Sequence, residues 1–195
     1  MDVSRYVLGT RGPGFWETPW VRRLVVVRHA KARGSSPRGD HGRELSTRGR
    51  AQASALRTWT EPGQPLGRLR GTAVVSDAAR TLETFELGLA GSPVCARALV
   101  DPALYNGTRD VTTRDVLDTL VGADPGYGDL FVVCHNPTVS YLVADLAGHG
   151  AADEALQDGF AMCAVAVLAF DTDTPLEGGC DLEFFGAPAT DQRYR

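Results

Sequence analysis

Three short, unbroken runs of apolar residues punctuate the first two thirds of the chain: Leu24-Val25-Val26-Val27, Thr72-Ala73-Val74-Val75 and Leu130-Phe131-Val132-Val133. Runs of this kind read as strands buried on both faces, as in a parallel sheet covered by helices. Helical spacing fills the intervals. Ser46 stands ready to cap a helix carrying Ala51, Ala55, Leu56 and Trp59 on one side. Asp77 stands ready to cap a second, with Leu82, Phe85 and Leu89 at helical spacing. Val116, Leu117, Leu120 and Val121 mark a third, closed by Gly122; Val139, Leu142, Val143 and Leu146 mark a fourth, closed by Gly148. Cys163 to Phe170 and Leu182 to Phe185 add two late strands, expected at the sheet's edge. This alternation predicts a three-layer α/β/α sandwich with a mostly parallel central sheet and right-handed crossovers.

In such sheets ligands gather beyond the carboxyl ends of the strands. There the three runs lead into unusual polar residues. The first ends in Arg28-His29-Ala30, the second in Ser76-Asp77 with Arg80 one turn further on, and the third in Cys134-His135-Asn136-Pro137. Each alone has an ordinary explanation: a loop start, a cap, a solvated helix face. Jointly they bring two histidines and two arginines to one edge of the sheet. Arginine offers a planar, permanently charged fork that matches phosphate oxygens. A neutral imidazole can attack phosphorus, and a second, protonated histidine can hold an equatorial oxygen of the loose transition state. A phosphoryl group carries about −1.5 to −2 charge at pH 7, which Arg28, Arg80 and a protonated His135 would balance without metal.

In order along the chain, LVVVRHAKA, DHGRELSTRGRAQA, VVSDAARTLET and VVCHNPTVSYLVADLAG resemble the signature segments of the histidine phosphatase superfamily, which also includes phosphoglycerate mutases. In detail they are most similar to the compact SixA-like phosphohistidine phosphatases, over the stretch from Arg23 to Phe170. The resemblance implies a phosphoglycerate mutase-like fold and neither cofactor nor metal. It implies that His29 accepts the phosphoryl group, that Arg28 and Arg80 bind its oxygens, and that His135 completes the pocket. Asp40 to Ser46 match a segment beside the site, where Asp40 and Arg43 either touch substrate or pin the loop through hydrogen bonds and ion pairs.

The chain departs from its relatives at the general acid. One branch carries an aspartate directly after the second histidine, where Asn136 stands; another carries a glutamate in the stretch that here runs from Asp101 to Gly107 and holds Tyr105. Glu44, Glu83 and Glu86 read as loop or helix-face charges. Phosphohistidine releases an imidazole, a far better leaving group than an alkoxide, so the 10²–10⁴-fold that general acid commonly supplies is less needed. Asp40, His41 and Asp101 remain candidates for an acid. Only 55 positions separate Arg80 from His135. They leave little room for a long lid, which suits an open site and a phosphoprotein substrate.

Composition narrows the partners. With 43% hydrophobic and 23% charged residues the chain suits one globular domain, read as residues 23–190. Residues 1–22 read as a Gly- and Pro-rich N-terminal extension whose Phe15, Trp16 and Trp20 favour packing of part of it on the domain or a partner. A net charge of −4 argues against broad binding to nucleic acid or anionic membranes. Among four cysteines none form a C-x-x-C pair, and Cys134 and Cys163 lie in apolar runs, so neither a zinc site nor a disulfide framework is suggested. No secretory h-region and no apolar run of about 20 residues is present, so a cytoplasmic location is expected. The leading expectation is a phosphatase for phosphohistidine on proteins. A broad phosphomonoesterase for small esters and a non-catalytic phosphate or phosphoprotein binder stand beside it.

Overall fold

The computed structural model describes residues 21–107, 109–147, 149–171 and 179–189. Its elements are β1 (Val21–Arg28), α1 (Thr47–Thr58), β2 (Gly71–Ser76), α2 (Ala79–Gly88), β3 (Cys95–Asp101), a 3₁₀ turn (Pro102–Leu104), α3 (Thr113–Ala123), β4 (Asp129–Cys134), α4 (Thr138–Ala147), α5 (His149–Leu156), β5 (Val165–Asp171) and β6 (Asp181–Gly186). The strands form one sheet in the order β3-β2-β4-β1-β5-β6. Neighbours among β1 to β4 pair in parallel, and β5 is antiparallel to both β1 and β6.

The apolar runs are unbroken because both faces of the sheet are covered. Leu24, Val26, Leu130 and Val132 face a core shared with Val116, Leu117 and Leu120 of α3 and Val139 and Leu142 of α4. The alternate residues Val25, Val27, Phe131 and Val133 face a second core with Ala53 and Leu56 of α1 and Leu89 just after α2. Two helical layers about one mixed sheet give the expected sandwich. Register then does the functional placing: Arg28 pairs with Cys134, and Val75 with Val133, so β1, β2 and β4 end at one level.

Several local expectations need correction. Strand β5 is not at the edge; it lies between β1 and β6 and is buried through Phe170. Asp77 does not cap α2: Ala78 takes that position with no side-chain bond, while Asp77 Oδ1 lies 2.9 Å from His41 Nε2. Ser46 does cap α1, accepting from the Gly49 amide at 3.1 Å. The buried face of α1 is Gly49, Gln52, Ala53 and Leu56, rotated from the Ala51–Ala55 side because its first turn lies against the chain leaving β1. A Cβ at Gly49 would meet the Lys31 carbonyl at 2.0 Å, so only glycine permits that approach. Helix α3 runs through Gly122 to Ala123 and leaves Val121 41% exposed; its start is a Thr112–Asp115 capping box. Strand β3 is an edge strand with mostly exposed residues and so has no unbroken apolar run, and α5 is short and weakly patterned.

Strand β1 opens at Val21, within the stretch assigned to the extension. Arg22 is 5% exposed and makes a bidentate pair with Asp124 at 2.7 and 2.8 Å. Residues 1–20, with Phe15, Trp16 and Trp20, and Gly148 lie outside the described residues. No helix among the described residues is long and apolar enough to cross a membrane.

Candidate active site

The chain leaving β1 is held from two sides. The His29 amide donates to the Cys134 carbonyl of β4 at 3.1 Å, and the His29 carbonyl accepts from the Cys163 amide at 3.2 Å. The ring is 8% exposed, and its Nδ1 lies 2.7 Å from the Ala30 carbonyl. A carbonyl only accepts, so in the neutral ring Nδ1 carries the proton and Nε2 keeps its lone pair. His135, at the end of β4, presents its ring to His29 with centroids 5.2 Å apart at 60°. It is 2% exposed; Nε2 sits 2.8 Å from the Ser76 hydroxyl of β2, and the buried Nδ1 has no hydrogen-bond partner among the described residues.

Both imidazoles are held neutral. Burial first, then the charges of Arg80, Arg28 and Arg43, lower the His29 pKa to about 4 despite the bond to Ala30. Burial first, then His29 and Arg80, lower that of His135 to about 2. Burial beside Arg80 thus disfavours the charged His135 expected from sequence and favours the neutral ring. A Ser76 hydroxyl donating to Nε2 would leave the Nδ1 proton free for an acceptor oxygen, so the ring can still donate while the arginines carry the charge.

Arg80, in the first turn of α2, is 6% exposed. Its fork donates to the Asp40 carbonyl at 2.8 Å and to Asp40 Oδ2 at 3.1 Å, and it lies 5.7 Å from the Tyr105 ring centroid. Arg28 donates to the Phe160 carbonyl, and its Nε is buried without a partner among the described residues. Asp40 gathers three groups: Arg80, Arg43 Nη1 at 2.7 Å and the Tyr105 hydroxyl at 2.9 Å. Arg43 Nε also donates to the Arg33 carbonyl at 2.8 Å. These contacts pin the loop, one of the two readings open for Asp40 and Arg43; the other, contact with substrate, stands beside it as a proposal. They also set a carboxylate on the Arg80 fork, which an incoming phosphoryl group would have to share or displace.

Among the described residues the carboxyls around the site are engaged by other groups. Partial burial pulls Asp40 up, but the Tyr105 hydroxyl, Arg80 and Arg43 outweigh it and hold it below the usual carboxylate value, hence ionised at neutral pH. Asp101 accepts from the Ala103 amide at 2.8 Å and starts the 3₁₀ turn. Glu83 pairs with Arg50 and Glu44 with Arg38. Asn136 accepts from the Ser140 hydroxyl at 2.8 Å. Among the described residues no three His, Cys, Asp or Glu side chains are grouped to hold a metal ion.

Sequence reasoning thus named His29, Arg28, Arg80 and His135 and missed what holds them. Ser76 was visible only as a polar residue ending a buried strand. The turn from Phe160 to Ala164, whose Phe160 carbonyl takes Arg28 and whose Cys163 amide takes His29, carries no sequence signal. Cys163 there has φ 62°, a left-handed conformation rare outside glycine.

A neutral His29 has a kinetic signature. Were His29 the nucleophile, as the resemblance implies, attack would need the unprotonated ring, so kcat/KM, corrected for the substrate's own ionisation, should fall only as pH drops through about 4. An ordinary histidine would give a fall through 6.5 instead. A pH–rate profile checks this, and an acid limb near 6.5 would contradict the buried, cation-flanked environment described here.

No protein-family model and no curated protein matches the chain. Solved structures do. One assigned as the phosphohistidine phosphatase SixA of Nakamurella multipartitia is 27% identical, covering 87% of this chain and 98% of its own with a TM-score of 0.71. A second so assigned, from Agrobacterium tumefaciens, is 24% identical over 86% of this chain and 98% of its own, with a TM-score of 0.67. A protein histidine phosphatase SixA bound to tungstate is 20% identical over 85% and 97%, also at 0.67. With the fold shared along nearly the full length of these structures, and the RHA, SDAAR and CHNP segments converging at one sheet edge, the chain is placed in the histidine phosphatase superfamily, of phosphoglycerate mutase-like fold, and is similar to the structures assigned as SixA.

Proposed function

We propose that the protein is a phosphatase that removes phosphoryl groups from histidine on proteins, through a phosphorylated His29. One observation carries the reading. A neutral imidazole, its Nδ1 proton committed to the Ala30 carbonyl and its Nε2 lone pair free, stands beside a second neutral imidazole and a buried arginine fork. In the first step Nε2 of His29 forms a bond to phosphorus as the bond from phosphorus to the substrate nitrogen breaks. The departing imidazole takes up a proton from solvent. Arg28 and Arg80 hold the equatorial oxygens, and the Nδ1 proton of His135 donates to one of them. In the second step water attacks phosphorus, phosphate leaves, and the electron pair returns to His29 Nε2.

Substrate class follows from the proton. With Asp40 ionised and Asp101 engaged in its turn, an alkoxide leaving group would depart poorly and an imidazole well. The site should therefore show a steep rise of kcat/KM as leaving-group pKa falls. Phosphohistidine peptides and p-nitrophenyl phosphate should turn over about 10²–10⁴-fold faster than glycerol phosphate or sugar phosphates. Alkyl phosphates hydrolysed as fast as phosphohistidine would overturn the reading in favour of a small-molecule phosphomonoesterase with an acid at Asp40 or His41. Binding of all these phosphates with no turnover would favour a phosphate-binding domain instead.

A further inference from the structure

The excursion between β1 and α1 concentrates charge of the sign opposite to the chain as a whole. Residues 31–50 carry six cations, Lys31, Arg33, Arg38, Arg43, Arg48 and Arg50, against two carboxylates, Asp40 and Glu44. The rest of the chain is left with fourteen cations against twenty-two carboxylates. Its position is fixed: the Ser46 amide donates to the Lys31 carbonyl at 2.9 Å and the Arg33 amide to the Glu44 carbonyl at 2.9 Å, closing the excursion into a hairpin-like flap. The tip sits on the site, because Asp40 takes the Arg80 fork and His41 packs on Tyr105 with ring centroids 4.7 Å apart.

The cations on this flap are only partly neutralised. Arg33 and Arg38 share one carboxylate, Glu44, at 3.8 and 3.1 Å, and their side chains are 59% and 71% exposed. Such exposed pairs hold weakly and exchange readily for a carboxylate from outside. Lys31 and Arg48 are exposed and have no ion-pair partner among the described residues. The net −4 charge makes the rest of the surface repel acidic molecules, so this rim is where the field favours their arrival.

We infer that the rim formed by Lys31, Arg33, Arg38 and Arg48 is a docking surface for an acidic stretch of the phosphorylated protein partner, which delivers its phosphohistidine to His29 beside it. The inference rests on the phosphohistidine reading above and adds the partner's charge to it. Steering of this kind raises encounter rates about 10-fold to 10³-fold and is lost as salt screens it.

The test uses three synthetic phosphohistidine peptides with the same centre, flanked by aspartates, glutamines or lysines, and p-nitrophenyl phosphate as a control. On the wild-type chain at low salt the aspartate-flanked peptide should give a kcat/KM about tenfold above the glutamine-flanked one, with the lysine-flanked one lowest. The differences should close in 1 M salt, where the Debye length is about 3 Å. The triple variant Arg33→Gln, Arg38→Gln, Arg48→Gln should lose the preference while its kcat for p-nitrophenyl phosphate stays that of the wild type. Arg48→Glu, at an exposed position in the first turn of α1 where an acidic residue favours the helix, should invert the preference in part with no loss of fold. Equal rates for the three peptides on the wild type would overturn the docking surface and leave the phosphohistidine reading intact. Turnover of p-nitrophenyl phosphate with none of any peptide would overturn that reading and the docking surface with it.

Discussion

Replacing His29 with alanine is expected to lower turnover by about 10⁴–10⁶-fold, the range seen when a covalent nucleophile is removed from a site whose other parts remain. The fold should survive. The ring's bond is to the carbonyl of the next residue, and the backbone bonds to Cys134 and Cys163 do not involve the side chain. Turnover of p-nitrophenyl phosphate and a phosphohistidine peptide, measured beside thermal unfolding, separates chemistry from stability. Cys134 is the control. Burial pushes its thiol up to about 12, so it offers no thiolate near neutral pH, and Cys134→Ser should keep activity. A His29→Ala protein that is folded and retains a tenth of the wild-type rate would exclude His29 as nucleophile.

Loss of Arg80 should act on the transition state more than on binding. Two unit charges about 4 Å apart at an effective dielectric near 20 interact by roughly 4 kcal/mol. At about 1.36 kcal/mol per tenfold, Arg80→Ala has a ceiling of roughly 10³ in kcat/KM. Most of the loss is expected in kcat, because phosphoryl charge spreads onto the equatorial oxygens as the bond loosens. Arg80→Lys should recover only part of it: one ammonium cannot reproduce the two-pronged grip that Arg80 exerts on Asp40. The variant should stay folded, since Asp40 keeps Arg43 and the Tyr105 hydroxyl. Kinetics of Arg80→Ala within twofold of wild type would remove Arg80 from the chemistry.

What could be read without coordinates divides along a physical line. Burial on both faces of a central strand demands a continuous apolar run, so β1, β2 and β4 announced themselves, and so did the polar residues at their ends. Edge strand β3 and short helix α5 bury too little to leave such a pattern. The capping role given to Asp77 went to no side chain, because Asp77 instead meets His41 across the loop, a contact of 36 residues' separation that local propensity cannot encode. The lowered pKa of His135 was illegible for the same reason: it depends on burial and on groups such as Arg80 brought near by the fold, not on its neighbours in sequence. Asp40 and Arg43 were legible as site-adjacent residues, yet their bonds to Arg80, Tyr105 and the loop itself needed the fold.

The most direct measurement of a phosphorylated His29 is a rapid quench with phosphoryl-labelled substrate, followed by mapping of the label on the protein. A label that is acid-labile, stable in alkali, confined to the peptide containing His29, and formed and discharged fast enough to account for kcat is the predicted result. A wild-type chain that turns over fully with no such label, or that carries it on another residue still labelled in His29→Ala, would contradict a histidine phosphatase mechanism centred on His29.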